Sequence, residues 1–421
     1  MEALIKRFQD CPCGKPHALS VKEVFIKSGA LLKLPSLLQA EGLHYPCILC
    51  DDNTYAAAGK QVEALLPAGS KICLSPHGLH ADEKAVEKIL SALPPEADVL
   101  LAVGAGTIHD IARYAAFLKG IPFFSVPTAA SVDGFVSTVA AMSWHGFKKT
   151  LPAKAPLYVV ADSSIFAEAP YRLTASGVAD LLGKYTAIAD WRIAHLITGE
   201  YLCPRVCRLM EEALSKASTC LEELPARHLT AFEELMHALV LSGLAMQLVG
   251  NSRPASGAEH HLSHFWEMEV INGHLEALHG EKVGVGLLAV SKVYACVKNQ
   301  IRKGTCRVSD YSGLPLDALK QLLRPEAYPL WLEENTPDPL ASIDPARLTE
   351  KLPELSAILD TVPSPEELDR ILLHLGAART MAQIGLEEHL RKPSLMFSPF
   401  VRNRLTGMRL LKRLEFDTPV F

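Results

Sequence analysis

Histidines four residues apart on a helix stand one above the other, so their rings address one point in space. The chain carries such a pair in Gly257-Ala258-Glu259-His260-His261-Leu262-Ser263-His264, and His279 follows in Leu278-His279-Gly280-Glu281-Lys282. Neutral imidazole offers a lone pair near neutral pH and is the commonest metal ligand. Among 16 His one such pair also arises by chance, so its weight rests on a carboxylate and a cofactor loop elsewhere. Asp180, in Ser176-Gly177-Val178-Ala179-Asp180-Leu181-Leu182, is a carboxylate among apolar neighbours, where it needs a cation or hydrogen bonds to offset desolvation. A metal shared with His260 supplies that cation. His261 and His264 form a competing i,i+3 pair, against which the Glu-His dipeptide favours His260.

The cofactor loop follows the apolar run Val99 to Val103. Gly104-Ala105-Gly106-Thr107-Ile108-His109-Asp110 opens a helical stretch. Glycines at a strand-to-helix turn let backbone N–H groups approach a phosphate, and a helix N-terminus adds partial positive charge. The pattern falls short of G-x-G-x-x-G, and a simple tight turn is its other reading. Asp51, at the end of an earlier apolar run, is placed to bind a ribose diol, which favours NAD over NADP. A second loop, Val126 to Ser137, presents Thr128, Ser131, Asp133 and Ser137 without Lys or Glu, as a ligand-facing loop does.

Positioning these groups requires particular elements. Short apolar runs at Glu23, Cys47, Lys71, Val99, Pro122 and Tyr158 alternate with helical stretches such as Leu31 to Ala40 and Asp82 to Leu93. That alternation predicts an α/β domain with a parallel, Rossmann-like sheet over residues 1–165, binding its ligand at the carboxyl ends of the strands. From Ala167 onward Ala, Leu, Glu and Lys dominate, predicting an all-α C-terminal domain over 166–421 with the active site in the interdomain cleft. The Pro-rich stretches at 323–325, 336–339 and 362–365 read as turns between helices.

At 421 residues the chain is long enough for two cores. Its 49% hydrophobic and 21% charged residues describe a globular protein. A formal charge of -5 argues against a general nucleic-acid partner. No apolar run is expected to reach a membrane span and the start has no signal-peptide core, so a soluble cytoplasmic protein is expected. The ten Cys are too sparse for a disulfide scaffold. Cys47 and Cys50 read as strand residues, whereas Cys11-Pro12-Cys13-Gly14-Lys15-Pro16-His17 is an incomplete metal motif lacking an evident fourth ligand.

Taken in order, Gly104-x-Gly106-x-x-x-Asp110, Thr128-x-x-Ser131-x-Asp133-Gly134, Gly177-x-x-Asp180, Glu259-His260-x-x-x-His264 and His279-Gly280-Glu281 resemble the iron-dependent alcohol dehydrogenase and dehydroquinate synthase superfamily. Ser131-x-Asp133-Gly134-Phe135, Asp180-Leu181-Leu182-x-Lys184-Tyr185 and Ser256-Gly257-x-Glu259-His260 resemble its sn-glycerol-1-phosphate dehydrogenases, bacterial branch. The resemblance covers roughly residues 20 to 300. It implies reversible, NAD(P)H-linked reduction of dihydroxyacetone phosphate to sn-glycerol 1-phosphate by a cytoplasmic homodimer. It further implies one divalent metal, nickel or zinc with iron possible, held by Asp180, His260 and His279. Asp180 and His264 are then catalytic, and Asp133, Asp180, His264 and Lys184 meet the substrate. Asp51, Gly104, Gly106, Thr107, Ile108, His109, Asp110, Thr128, Ser131 and Ser137 are expected to bind the dinucleotide. Lys148, Lys149, Lys154 and Lys184 are candidates for the substrate phosphate. The competing readings are a polyol dehydrogenase for an unphosphorylated substrate, dehydroquinate synthase chemistry with recycled NAD, and a catalytically silent binding protein on the same fold.

Overall fold

In the computed structural model the chain divides into two compact units, residues 1–181 with 208–251 and residues 182–207 with 252–421. Described are residues 1–144 and 147–421, with all their side chains except those of 147 and 148. The boundary drawn from sequence, at 165/166, marks where the strands of the sheet give way to helices. The compact units are defined instead by packing, and the chain crosses between them more than once.

The first unit is built on strands β1 (Glu23–Ile26), β2 (Pro46–Asp51), β3 (Ser70–Leu74), β4 (Val99–Gly104) and β5 (Phe123–Pro127). An antiparallel hairpin, β6 (Val139–Trp144) with β7 (Phe147–Pro152), precedes β8 (Tyr158–Ala161). The six-stranded parallel sheet has the order β1-β8-β5-β4-β2-β3. The central strands β4 and β5 are buried at every position, which is why they read as continuous apolar runs rather than as alternation.

Helices cover both faces of this sheet. On one face α2 (Glu83–Ala92) and α3 (Gly106–Lys119) bury Val86, Ile89, Ile111 and Ala115 with Ala140 and Met142 of the hairpin. On the other, α1 (Leu34–Glu41) packs Leu34 and Leu38 against Ile48, Leu101 and Phe124. Each fully buried large aliphatic or aromatic side chain contributes about 1.5–3 kcal/mol.

Strand order sets the ligand position. The chain moves from β2 outward to β3, then returns to β4 on the other side of β2. In such sheets the crevice at the carboxyl ends of the two strands flanking the reversal receives the ligand. Asp51 ends β2 and Gly104 ends β4, with Leu49 paired to Ala102 and Gly104 paired to Pro127. Register therefore gathers Asp51, the Gly104 loop and the Thr128 loop at one edge.

The first unit also contains most of α4 (Tyr171–Leu182), the later part of α6 (Pro204–Cys220) and all of α7 (Leu229–Val249). Contrary to the expectation that no segment reaches membrane-spanning length, α7 is long and apolar enough, yet 61% of its most apolar window is buried inside the protein. The second unit is helical: α5 (Lys184–Thr198), α8 (Ala258–Glu267), α9 (His279–Lys303) and a series of shorter helices to the C-terminus. It also carries a short antiparallel ladder, Cys306–Val308 with Leu414–Phe416.

Candidate active site

In the first unit, α3 begins directly after β4. Its N-cap, Ala105, makes no side-chain cap, so the first N–H groups of this helix depend on another acceptor, and an anion fits there. Gly104 is demanded by packing: a Cβ would meet Ile108 Cβ at 2.6 Å. Asp51 spends Oδ1 on the backbone N–H of Thr54 (2.8 Å), closing a capping box with the Thr54 hydroxyl (2.9 Å). A carboxylate accepts about four hydrogen bonds, so this cap is compatible with a ribose contact.

His109 and Asp110 are engaged with the protein itself. The His109 Nδ1–H donates to the Ala105 carbonyl (2.9 Å), leaving Nε2 to accept from the Ser125 hydroxyl (2.8 Å), and Phe135 packs edge-on against the ring. Asp110 pairs with Arg113 at 2.6 Å. Arg113, which the sequence reading passed over, donates to the carbonyls of Gly134 and Val139 and so ties α3 to the second loop. A buried arginine one turn after Asp110 was the available signal.

Burial lowers the His109 pKa to about 3, giving a stability prediction. Between about pH 6.5 and 3 the unfolded chain binds this proton and the folded chain does not, so stability falls as pH falls, by about 1.4 kcal/mol per pH unit. Urea titrations should show His109→Gln losing about 2 kcal/mol less than the parent between pH 6.5 and 5. Equal losses would contradict the assignment.

The second loop is seated on α4 and α7. A Cβ on Gly177 would lie 2.0 Å from the Ala130 carbonyl oxygen, so only glycine lets this loop cross the helix. The Asp133 N–H donates to Asp180 Oδ2 (3.1 Å), while Asp133 Oδ2 accepts from the Ser242 hydroxyl (2.7 Å). Asp180 is completely buried. Thr128 and Ser131 are buried, and the Ser137 hydroxyl donates to the Val139 carbonyl at 2.8 Å.

In the second unit, α8 and α9 bring three imidazoles together. Ring centroids are 5.3 Å apart for His260 and His279, 6.0 Å for His260 and His264, and 6.1 Å for His264 and His279. His260 Nδ1–H donates to Glu259 Oε1 (2.7 Å), and His279 Nδ1–H donates to Glu267 Oε1 (3.1 Å). Each carboxylate holds the proton on Nδ1 and makes Nε2 the lone-pair nitrogen, as around histidines that bind a metal. The donor set therefore fits a divalent ion.

Glu259 and Asp190 hold this arrangement. Burial would raise the pKa of Glu259, but hydrogen bonds from His260, Thr186 and the Gly257 N–H outweigh it and hold the carboxyl below its ordinary value. Asp190 accepts from the N–H groups of Ala258 and Gly407, each at 2.7 Å, and from the Tyr294 hydroxyl. Burial, then the charge of Glu259, pushes Asp190 up to about 7. His261 has no such support: it is buried and neither ring nitrogen hydrogen-bonds among the described residues.

A basic group that the sequence reading missed lies in the same unit. Burial first, then Arg402, hold the His264 pKa well below its ordinary value, and Arg404 and Arg402 act similarly on buried His261. Arg404 is itself pushed down to about 9 by burial and by Arg402 and Arg253, with Glu200 and Glu334 opposing. Its buried Nη1 hydrogen-bonds nothing among the described residues. These arginines lie some 140 residues beyond the histidine helix, without a motif around them.

Among the proposed phosphate lysines, Lys184 is buried at the start of α5. Lys154 donates to the Ile121 carbonyl (3.1 Å) and Lys149 is exposed. The Lys148 side chain lies outside the described residues.

Residues 25–170 match the model of the iron-containing alcohol dehydrogenases. A glycerol-1-phosphate dehydrogenase [NAD(P)+] from Geobacillus stearothermophilus is 34% identical over 99% of this chain and 98% of its own length. The chain belongs to the glycerol-1-phosphate dehydrogenase family. A relative of the same name from Halalkalibacterium halodurans is 35% identical over 94% of both chains. Among solved structures, an archaeal alcohol dehydrogenase from a Red Sea brine pool has a TM-score of 0.63 at 14% identity, covering 94% of this chain and 97% of its own. A probable glycerol dehydrogenase from Sinorhizobium meliloti has a TM-score of 0.55 at 20% identity, covering 86% and 98%. At these identities the solved structures establish the fold that this family shares.

Proposed function

We propose that the protein reduces dihydroxyacetone phosphate to sn-glycerol 1-phosphate, reversibly, with NAD(P)H and one divalent metal. The observation that carries the reading is the pair His260 and His279, each with Nδ1 held by a glutamate, in a chain whose full-length relatives bear that activity's name. Asp180 is assigned as the third metal ligand. It lies two residues before the end of α4, where the chain passes into the second unit. One carboxylate and two imidazoles suit nickel, zinc or ferrous iron and leave positions open for substrate. When bound, the metal supplies Lewis-acid polarisation of the ketone, and the nicotinamide supplies the hydride.

The protein's own groups bind and orient. The uncapped start of α3, with Gly106, Thr107 and Ile108, takes the pyrophosphate. Thr128, Ser131 and Ser137 line the nicotinamide side, and Asp51 takes the adenosine ribose. His109 and Asp110 support these loops from beneath, through Ser125 and Arg113. Glu259 and Glu267 keep the proton on Nδ1 of His260 and His279, so that Nε2 remains a ligand atom. His264 and Asp133 orient the substrate hydroxyls. Arg402, Arg404 and Lys184 hold the substrate phosphate.

The test follows NADH oxidation by the chelated protein with each metal restored separately. Turnover with dihydroxyacetone phosphate should return with nickel, zinc or iron, at one NADH per product. Faster turnover of unphosphorylated dihydroxyacetone would replace this reading with a polyol dehydrogenase, and product formed without net NADH loss would replace it with synthase chemistry.

A further inference from the structure

The N-terminal arm contains a second cluster of metal-ligating side chains that this activity does not use. Ligand atoms of Cys11, Cys13 and His17 lie within 4.8 Å of one another. Cys13 Sγ and His17 Nε2 stand 3.1 Å apart. Two ligands on a tetrahedral zinc, about 2.3 Å for sulfur and 2.0 Å for nitrogen, are separated by about 3.5 Å, so the pair is already near coordination geometry. The His17 Nδ1–H donates to the Leu248 carbonyl on α7 (2.6 Å), fixing Nε2 as the lone-pair nitrogen on the cysteine side. Such a carbonyl partner is characteristic of histidines that bind zinc.

Local backbone supports the same reading. Cys11-Pro12-Cys13-Gly14 is a tight turn, with the Gly14 N–H on the Cys11 carbonyl (3.4 Å) and Gly14 at φ +75. Proline then glycine shape this turn. Residues 11–22 form neither helix nor strand, yet the arm is fixed at Arg7 to Glu212, at His17 to Leu248 and at Ser20 to Gln247. Its buried apolar side chains are Phe8, whose ring meets that of His17 at 5.1 Å, and Val21. All ten cysteines are outside disulfides.

We propose that Cys11, Cys13 and His17 hold a zinc ion, thiolates and an imidazole being the ligands zinc prefers. The zinc pins a segment that forms neither helix nor strand, and it acts independently of the catalytic reading.

The test uses the full-length protein, parent and variants dialysed alike against a chelator for the time that abolishes the parent's activity, with zinc then counted by mass spectrometry. One zinc per chain should remain in the parent and in Asp180→Ala, and none in Cys13→Ser. No retained zinc in the parent, or equal zinc in parent and Cys13→Ser, overturns the site. Should Cys13→Ser fail to fold, thiol alkylation of the parent decides. Cys11 and Cys13 should label only after a stronger chelator removes zinc, while Cys296 labels equally before and after. Labelling of Cys11 and Cys13 that ignores the chelator overturns it equally.

Discussion

Asp180→Ala and His260→Ala should each empty the catalytic metal position and slow dihydroxyacetone phosphate reduction by roughly 10³-fold or more, while NADH still binds. Polarising a ketone oxygen with a metal is worth several kcal/mol, and about 4 kcal/mol corresponds to roughly three decades in rate. The Gly104 turn does not depend on these ligands, and Arg113 also holds the second loop through the Gly134 carbonyl, so NADH binding measured by nicotinamide fluorescence should persist. Asp180 also accepts the Asp133 N–H, and loss of that contact is a competing explanation for a dead variant. Asp180→Asn separates the two, because an amide oxygen still accepts this hydrogen bond but is a poorer ligand. Glu259→Gln should act more mildly, weakening metal affinity about 10- to 100-fold by loosening the His260 ring. Full turnover with normal metal content in Asp180→Ala would sink the ligand assignment.

What the sequence made legible follows from distance along the chain. The six strands of the parallel sheet were readable because buried central strands such as Val99–Gly104 are apolar at every position. The hairpin Val139–Trp144 with Phe147–Pro152 was not, because its alternate small residues resemble a loop. Within the site, the Glu-His dipeptide pointed to His260, and Glu259 is the carboxylate that fixes its tautomer.

The roles of His109 and Asp110 were illegible for a different reason. Their partners, Ser125 on a neighbouring strand and Arg113 holding a separate loop, are chosen by sheet register and not by spacing. Arg402 and Arg404 carry no motif, and only folding of the C-terminal segment places their charge around the histidine helix. Nor does any local pattern announce that residues 182–207 pack with 252–421. The lysines nearest the recognisable motifs were the natural candidates for the phosphate, and Lys154 among them donates to the Ile121 carbonyl.

Arg404→Ala should therefore distinguish a phosphorylated from an unphosphorylated substrate. Arg404 keeps a buried Nη1 without a hydrogen bond among the described residues, beside a buried His261 whose ring is equally unsatisfied. Leaving such donors unpaired costs about 1–3 kcal/mol each, a cost that a bound phosphate removes. The like charges of Arg402 and Arg253 lower the Arg404 pKa to about 9 after burial has done so, and a dianion among them relieves that repulsion as well. Loss of one charged, desolvated hydrogen-bond donor costs about 2–5 kcal/mol, so kcat/KM for dihydroxyacetone phosphate should fall roughly 10²-fold or more. Turnover of dihydroxyacetone should stay within about twofold, because that substrate has no group to meet the guanidinium. Arg404→Lys should recover part of the loss, since the charge returns without the planar fork. Inorganic phosphate gives a readout apart from catalysis: a ligand that binds only the folded chain raises its melting temperature, and that rise should shrink in Arg404→Ala. Equal losses on both substrates, with an unchanged phosphate effect, would show that Arg404 supports the fold and leave the phosphate to Lys184.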